Sequence, residues 1–267
     1  MNYRHIYHAG HFADVFKHCL LTIVLKHLCQ KEKPFVYIDT HAGTGKYDLS
    51  TEEVIRSPEY QQGIEILLKQ KTIIPEMQSY VEIIKPYIQD NILQYYPGSP
   101  LIAEHFIREQ DEMILNELHD EDFASLKLNL KKIKNCHFHH RDAYEFLPAI
   151  LPPDIKRGVI LIDPPYEKKS EYSDIVETLE KSIKRFPNGI YMIWYPIVSN
   201  EYQILLKKIK SNIHADMIET HFTIKPIPNE KEGLIGTGMI IINPPYQMDA
   251  TAKRVTRYLE ELYTPST

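Results

Sequence analysis

The sequence contains few cysteines, no long apolar run and no surplus of basic charge. Its three cysteines, Cys19, Cys29 and Cys136, are too few and too irregularly spaced for a disulfide framework, and they indicate a reducing, cytoplasmic setting. No stretch approaches the roughly 20 apolar residues that span a bilayer, and residues 1–10 lack the apolar segment of a signal peptide. We therefore expect a cytoplasmic protein that does not associate with membranes.

The net charge of −5 provides no overall attraction to the phosphates of a nucleic acid. Lysines do gather locally, as at Lys131, Lys132 and Lys134, but one such cluster is more often a solvated face of a helix or loop. Composition therefore neither selects nor excludes a nucleic-acid partner. A chain of 267 residues can hold one large α/β domain, with or without an insertion.

Seven short apolar runs alternate with segments of helical spacing. The runs are Phe35–Ile38, Met113–Leu115, Cys136–His140, Val159–Ile162, Ile190–Trp194, Asp216–Phe222 and Met239–Ile242. Between most of them lie helical segments such as Ala13–Gln30, whose apolar residues form one stripe. This alternation predicts the α/β class, with a mostly parallel sheet and helices on both faces.

Residues 47–94 interrupt the alternation. One crossover helix would suffice here, yet Ile64–Lys71 and Pro75–Gln89 both have helical patterns, and a structureless loop of this length is uncommon. The sequence therefore predicts a core formed by residues 1–46 and 95–267, and an inserted helical subdomain over residues 47–94.

The first apolar run leads into Asp39-Thr-His41-Ala-Gly43-Thr-Gly45. The two glycines let the backbone approach a ligand closely and adopt positive φ. A strand followed by Asp-x-x-Ala-Gly-x-Gly is characteristic of S-adenosylmethionine binding in Rossmann-like methyltransferases, and it lacks the third glycine of a dinucleotide site. The alternative is a tight turn in which Asp39 only caps a helix.

Two more carboxylates follow the next two strands. Glu117 could accept hydrogen bonds from both ribose hydroxyls of the cofactor, because an ionised carboxylate is an acceptor only. Asp142, followed by Ala143, is expected near the cofactor's adenine. Open α/β sheets bind ligands at the carboxyl ends of their strands, so three acids in these positions favour a ligand site.

The most specific motif is Asp163-Pro164-Pro165-Tyr166, which follows an apolar strand. The prolines restrict the backbone and hold the Asp163 side chain and the Pro164 carbonyl as a rigid pair. Such a pair can accept both hydrogens of an exocyclic amine and orient its lone pair for direct in-line methyl transfer. Asp163 is the candidate proton acceptor, and Tyr166 is expected to stack on a flipped-out base. The alternative is a stiffened strand end with a surface aspartate.

Two other patterns are interpreted as structural. Asn243-Pro-Pro-Tyr246 resembles the motif of DNA-adenine and glutamine methyltransferases, but it follows a last strand that runs antiparallel in this fold, so we expect it to face away from the cofactor. Cys136, His137, His139 and His140 resemble a metal cluster, but they lie on one predicted strand, where alternate side chains face opposite sides. We therefore expect no metal site.

Taken together, the motifs resemble the RlmJ family of bacterial 23S rRNA adenine-N6 methyltransferases from end to end. The resemblance rests on Tyr3-Arg4-His5, His8-Ala-Gly10, Ala13-Asp14-Val15, Lys17-His18, the 39–45 turn, Tyr95–Pro100, Glu117-Leu-His119, Asp163–Tyr166, Trp194-Tyr-Pro196, Gly238-Met and Asn243-Pro-Pro.

The resemblance implies a class I methyltransferase core, with a seven-stranded, mostly parallel sheet whose last strand is antiparallel, and S-adenosylmethionine as cofactor. It also implies that the cofactor pocket is lined by Lys17, His18, His41, Ser99, Glu117, Asp142 and Asp163. Residues 1–30 would cover the active site, with Tyr3 and Arg4 at the target base. The implied partner is 23S rRNA, deproteinised or in an early assembly intermediate, bound by a monomer. Asp142-Ala143 departs from the family's Asp-Gly.

The leading hypothesis is therefore an rRNA adenine-N6 methyltransferase. A DNA adenine-N6 methyltransferase would share both motifs, although such enzymes usually carry a larger recognition domain than residues 47–94 provide. A non-catalytic RNA-binding or assembly factor is disfavoured by the intact Asp163 and glycine turn. A glutamine methyltransferase would have Asn at position 163. Trp194 and Tyr195 either wall the substrate cleft or pack in the core.

Overall fold

The computed structural model describes residues 4–168, 170–227 and 233–264. Its strands are β1 (Val36–Asp39), β2 (Lys46–Asp48), β3 (Ile88–Gln89), β4 (Ile92–Leu93), β5 (Tyr95–Pro97), β6 (Glu112–Asn116), β7 (Cys136–His139), β8 (Gly158–Ile162), β9 (Ile190–Ile197), β10 (Met217–Thr223) and β11 (Gly236–Ile242). Its α-helices are α1 (Phe12–Cys29), α2 (Glu52–Arg56), α3 (Ile64–Leu68), α4 (Pro75–Ile84), α5 (Ser99–Glu104), α6 (Asp120–Asn129), α7 (Ala143–Ile150), α8 (Glu171–Arg185), α9 (Tyr202–Asn212) and α10 (Met248–Tyr263). Short 3-10 helices cover His5–Tyr7, Glu59–Gln62 and Lys85–Tyr87.

Seven of the strands form one sheet in the order β10-β11-β9-β8-β1-β6-β7. β11 runs antiparallel to both of its neighbours, whereas β9, β8, β1, β6 and β7 pair in parallel. Each of the seven apolar runs overlaps one strand of this sheet, with bounds that differ by at most a few residues. The predicted Rossmann-like α/β fold with an antiparallel last strand is therefore confirmed.

The two motif-bearing strands, β1 and β8, are adjacent at the centre of the sheet. Both are buried along their whole length, and Asp39 lies opposite Leu161 in their parallel register. The chain moves outward from β1 to β6 and β7 on one side and returns to β8 on the other. A crevice forms at such a switch point, beside the carboxyl ends of the strands. Both motifs begin at this edge.

Helices cover both faces of the sheet. α1 and α10 contribute to one hydrophobic core cluster, while α7, α8 and α9 pack against the opposite face. No helix within the described ranges is long and apolar enough to cross a membrane.

Helix α1 is buried on more than its predicted apolar stripe. Asp14, Lys17, His18 and Thr22 are also buried, and α1 packs against α4, α5 and α10 as well as against the sheet. A buried charge is costly unless it is paired. The charged residues of α1 therefore need partners inside the protein.

The predicted helix over Pro75–Gln89 is too long. α4 ends at Ile84 and is followed by the 3-10 helix Lys85–Tyr87, because Pro86 has no N–H for the next helical hydrogen bond. β3 and β4 then form a hairpin around Asp90 and Asn91, whose φ angles are 50° and 63°; a two-residue hairpin turn requires positive φ at both positions. The segment returns to the core as β5, which pairs with β2. The division into a core and an inserted subdomain stays a prediction.

Candidate active site

Three cavities open at the carboxyl edge of β1, β6 and β8. The first, the glycine-turn cavity, is lined among others by Lys17, His18, Gly43, Ser99, Glu117 and Asp163. The second, the α7 cavity, has a volume of about 540 Å³ and is lined among others by His41, Glu117, Leu118, Asp142, Ala143 and Tyr144. The third, the proline-motif cavity, has a volume of about 200 Å³ and is lined among others by His5, His11, Lys17, Asp163, Tyr166 and Trp194.

The glycine turn has the conformation that its sequence predicted. Gly43 and Gly45 have φ angles of 58° and 74°, in the left-handed region that glycine adopts most readily. A Cβ atom at Gly43 would lie 2.1 Å from the hydroxyl of Tyr47. Only glycine therefore fits at position 43.

Glu117 is held by two backbone amides. The N–H of Gly43 donates to its Oε2 at 2.8 Å, and the N–H of His119 donates to its Oε1 at 2.8 Å. Burial raises the pKa of Glu117 against the lowering effect of these amides. Each carboxylate oxygen has two acceptor positions, so Glu117 can still accept hydrogen bonds from a diol in the cavities that it lines.

Asp39 is a support of the turn and not part of the cavity wall. Its side chain is fully buried, and its Oδ2 accepts hydrogen bonds from Tyr37 at 2.6 Å and from Ser99 at 2.7 Å. Its Oδ1 accepts the N–H of His41 at 3.2 Å. Burial raises the pKa of Asp39 to about 6. In this structure Asp39 therefore supports the turn, and its contact with a cofactor stays a prediction.

The two predicted histidines are in or beside the glycine-turn cavity. His18 Nδ1 lies 2.7 Å from the hydroxyl of Tyr96, and burial lowers the pKa of His18 to about 3. His41 lines both this cavity and the α7 cavity, and burial lowers the pKa of His41 to about 4. Both rings are therefore neutral at pH 7.

Asp142 and Ala143 form the start of α7 at the edge of the α7 cavity. Asp142 Oδ1 caps the helix by accepting the N–H groups of Tyr144 at 2.8 Å and Glu145 at 3.3 Å. Ala143 is the first residue of the helix. A right-handed helical residue does not require glycine, so the departure from Asp-Gly leaves this turn intact.

The proline motif lies between two of the cavities. Asp163 lines both the glycine-turn cavity and the proline-motif cavity, as Lys17 does. Tyr166 has a φ of 54°, and its hydroxyl donates a hydrogen bond to the carbonyl of Trp194 at 2.5 Å. The rings of Tyr166 and Trp194 meet edge to face with centroids 5.9 Å apart. Trp194 therefore walls the cleft, which was one of its two predicted positions.

Lys17 contacts the motif directly. Its ammonium forms ion pairs with Asp163 and, at 2.8 Å, with Asp14. Burial alone would lower the pKa of Lys17, but the two carboxylates outweigh it and raise that pKa above its ordinary value. Lys17 is therefore a cation between two carboxylates, an arrangement that the sequence did not predict.

The N-terminal segment lies over the same edge. His5, His8 and His11 line the proline-motif cavity. Arg4, predicted to bind the substrate, forms ion pairs with Glu121 at 3.2 Å and with Asp122 at 3.1 Å. Its substrate role stays a prediction, and Tyr3 lies outside the described residues.

The Asn243-Pro-Pro-Tyr246 motif is at the opposite edge of the sheet. Asn243 donates to the carbonyls of Pro187 and Gly189, both at 2.8 Å, in the turn that precedes β9. Tyr246 is 86% exposed. The prediction that this motif is structural agrees with these contacts, since β11 is antiparallel.

Several cavity residues were missed by the sequence analysis. They include His5, Tyr47 and His119 in the glycine-turn cavity, Tyr144 in the α7 cavity, and Asp14 in the proline-motif cavity. His5, Asp14 and His119 stand in segments that carry the family resemblance but were given no role, whereas Tyr47 and Tyr144 only follow recognised motifs. Among residues 4–168, 170–227 and 233–264, no group of three His, Cys, Asp or Glu side chains is arranged to hold a metal ion.

Comparison with known proteins identifies the family. A family model described as "Ribosomal RNA large subunit methyltransferase D, RlmJ" matches residues 32–267. Proteins named ribosomal RNA large subunit methyltransferase J are 37% identical to this chain in Escherichia coli, covering 100% of this chain and 95% of the relative, and 37% identical in Haemophilus influenzae, covering 99% and 95%.

A crystal structure of a Legionella pneumophila protein matches this fold with a TM-score of 0.89 and 36% identity, over 97% of this chain and 96% of that one. The two folds therefore match over nearly the whole length of both chains. The family model and the two relatives show that the chain belongs to the RlmJ family of ribosomal RNA large subunit methyltransferases.

Proposed function

We propose that this chain transfers a methyl group from S-adenosylmethionine to the N6 amine of one adenine in 23S rRNA. The observation that carries the proposal is the position of Asp163, whose side chain lines both the glycine-turn cavity and the proline-motif cavity. A donor in the glycine-turn cavity and a base in the proline-motif cavity would meet at this carboxylate. The names of the relatives support ribosomal RNA as the substrate class.

The residues of the first two cavities fit the proposed donor. Glu117 offers acceptors to a ribose diol, and the backbone at Gly43 leaves no room for a side chain. Ser99 and His18 line the same wall, and Asp142 with Ala143 borders the adjoining space. When bound, S-adenosylmethionine supplies an electrophilic methyl group on a sulfonium. The acceptors of Glu117 and Asp142 hold its nucleoside end.

The proline-motif cavity fits a purine. Tyr166 and Trp194 provide aromatic surfaces. The Tyr166 ring is fixed by the hydrogen bond from its hydroxyl to the backbone carbonyl of Trp194, and the Trp194 ring by the hydrogen bond from its Nε1 to the Thr237 hydroxyl at 2.8 Å. A flipped-out base stacks well on such surfaces, at about 1–3 kcal/mol per base. The cavity volume of about 200 Å³ leaves space for one base. A base that stacks on Tyr166 would present its exocyclic amine to Asp163.

The Asp163–Pro164 pair orients the amine. The two N–H groups of the amine donate to an oxygen of Asp163 and to the carbonyl of Pro164, so the lone pair of the amine nitrogen turns towards the glycine-turn cavity. Lys17 contacts Asp163 Oδ2, and we assign this oxygen to the amine, which takes the place of the ammonium. Proximity and orientation provide most of the acceleration, and Asp163 then accepts the departing proton.

We further propose that the substrate is deproteinised 23S rRNA or an early assembly intermediate, because a base must leave its stack to enter the cavity. A single chain holds all three cavities, so a monomer suffices. The bacterial cytoplasm is the proposed location, where rRNA is made and where the three cysteines, all free in this structure, stay reduced.

The test is methyl transfer from labelled S-adenosylmethionine to deproteinised 23S rRNA, assembled large subunits and duplex DNA, followed by mass spectrometry of the nucleosides. We expect N6-methyladenosine in the deproteinised rRNA. Transfer to DNA alone would instead identify a DNA adenine methyltransferase. Donor binding without transfer to any of these would indicate a non-catalytic RNA-binding factor.

A further inference from the structure

We propose that Asp14 is a positioning residue for methyl transfer: it anchors Lys17 and His5 at the wall between the two cavities, and it retains the ammonium of Lys17 when Asp163 receives the target amine. The inference rests on the proposed function, because the amine is the group that draws Asp163 away from Lys17.

Asp14 organises three segments around one buried carboxylate. It lies in the first turn of α1 and is 3% exposed. Its Oδ2 accepts the N–H of Gly10 at 3.0 Å and lies 2.9 Å from His5 Nε2. Its Oδ1 lies 2.8 Å from Lys17 Nζ. These contacts connect the N-terminal segment to the part of α1 that faces the proline motif.

The two ion pairs of Lys17 differ in kind. Asp14 and Lys17 are three residues apart on one helix and therefore share a face, so this pair persists as long as α1 is folded. Asp163 belongs to the loop after β8, 146 residues away in sequence. An ammonium has three hydrogens to donate, and Lys17 Nζ also lies 5.7 Å from the centre of the Trp194 ring. The pair with Asp163 is the one that can open without unfolding a helix.

Charge explains why a second carboxylate is needed. The Lys17 side chain is 4% exposed, and a buried charge that loses its only partner is strongly destabilised. If Asp163 were the only partner, binding of the amine would leave the ammonium unpaired. Burial would raise the pKa of Asp14, but His5, Lys17 and His18 hold it well below its ordinary value. Asp14 is therefore ionised and can keep Lys17 paired.

The test is Asp14→Asn, which keeps the side-chain shape and an acceptor for Gly10 but removes the charge. We expect kcat for methyl transfer to rRNA to fall about 100-fold, the effect of a misplaced group in an active site. KM for RNA and the affinity for S-adenosylmethionine, measured by calorimetry, should change little. A variant that transfers at the wild-type rate would overturn the inference.

A pH profile separates this role from simple structural support. Lys17 faces Asp14 and Asp163 together with His5, His18 and His41, and loss of one carboxylate lowers the pKa of Lys17. Transfer by Asp14→Asn should therefore decline at a lower alkaline pH than transfer by the wild type. Identical alkaline profiles would contradict the proposed role of Asp14.

The matched control is Asp111→Asn. Asp111 is also a buried carboxylate paired with a cation three residues away, Arg108, but it lies at the opposite end of β6, outside the three cavities. This control should lower Tm without changing kcat. If both variants lost activity in proportion to Tm, Asp14 would be only structural.

If Asp14→Asn does not fold, Asp14→Glu retains the charge and should keep the wild-type alkaline profile at a reduced kcat; an alkaline decline in this variant would overturn the inference. An inactive wild-type protein would contradict the proposed function and with it the role of Asp14 in transfer, but not the anchoring of Lys17 by Asp14. If the wild type is inactive, the pKa of Lys17 is compared between the wild type and Asp14→Asn by NMR of labelled lysine side chains. An unchanged pKa of Lys17 would refute the anchoring role of Asp14.

Discussion

The backbone N–H of Gly43 donates a hydrogen bond to Oε2 of Glu117 across 2.8 Å. This contact joins the turn after β1 to the end of β6, and the N–H of His119 holds the other oxygen at the same distance. The carboxylate is thus fixed by amides from two segments before any ligand arrives. A preorganised acceptor loses little entropy when a ligand binds.

The first prediction concerns Glu117→Gln. The amide retains the shape but loses the charge and one acceptor, and hydrogen bonds to charged groups contribute about 1.5–3 kcal/mol. We expect the affinity for S-adenosylmethionine, measured by calorimetry, to fall about 10-fold to 100-fold. Glu112→Gln, at the other end of β6, is the control and should bind normally. Equal affinities for the two variants would contradict the assignment of Glu117 to the ribose.

The second prediction concerns Gly43→Ala. The new Cβ would lie 2.1 Å from the Tyr47 hydroxyl, at a φ of 58°, and a left-handed conformation alone costs about 1–2 kcal/mol. We expect lower Tm and weaker binding of the donor. Removal of the hydroxyl leaves the Tyr47 ring carbon, 3.3 Å away, as the nearest atom. Gly43→Ala should therefore be less harmful in a Tyr47→Phe background, and equal losses in both backgrounds would show that the clash is not the cause.

The third prediction concerns Asp163→Ala. Loss of the carboxylate removes the acceptor for the amine and its proton, so we expect transfer to rRNA to fall about 1,000-fold or more, while donor affinity changes only modestly. Lys17 keeps Asp14 as a partner, so the variant should fold. The control is Asn243→Ala in the second proline motif, which should lose stability but not kcat. Full activity of Asp163→Ala would refute the role of Asp163.

The fourth prediction is a loss of stability on acidification. Burial lowers the pKa of His18 to about 3 and that of His41 to about 4, whereas the unfolded chain protonates both near 6.5. The unfolded state therefore binds more protons between about pH 6.5 and pH 4, and the free energy of unfolding falls as pH falls through this window. Each histidine contributes about 1.4 kcal/mol per pH unit.

Asp39 acts in the opposite direction. Burial raises the pKa of Asp39 to about 6. On acidification the folded state therefore binds this proton at a higher pH than the unfolded state does, and it is stabilised as pH falls towards the pKa that Asp39 has in the unfolded chain. Comparison of His18→Gln with the wild type removes this contribution, because Asp39 is present in both. Urea unfolding between about pH 7 and pH 5 should show a shallower dependence for the variant. Parallel curves would contradict a neutral, buried His18.

The sequence predicted the parts of the site that depend on local pattern. β1 and β8 could be found from their apolar runs, and the residues that follow each strand lie at the sheet edge because parallel strands share a direction. The second proline motif could be set aside for the same reason, since β11 is reversed. Strand order and strand direction therefore account for the placement of Gly43, Glu117 and Asp163.

The sequence did not predict features that depend on packing between distant segments. The sequence of helix α1 shows one apolar stripe, but its residues Asp14, Lys17 and His18 are buried as well. The contact between Lys17 and Asp163 joins residues that are 146 apart in sequence, and helix or strand periodicity predicts no contact at such a separation. Asp39 was expected to bind the cofactor because it ends a strand, yet its buried carboxylate accepts hydrogen bonds from the hydroxyls of Tyr37 and Ser99. Burial of a polar residue is set by tertiary structure.

The wall shared by the glycine-turn and proline-motif cavities makes their occupancy interdependent. His5, Lys17 and Asp163 border both, so a molecule on one side changes the charge and shape met on the other. Thermodynamic reciprocity then requires that each ligand alter the other's dissociation constant by the same factor. Donor and RNA should accordingly bind cooperatively or antagonistically, never as two independent events.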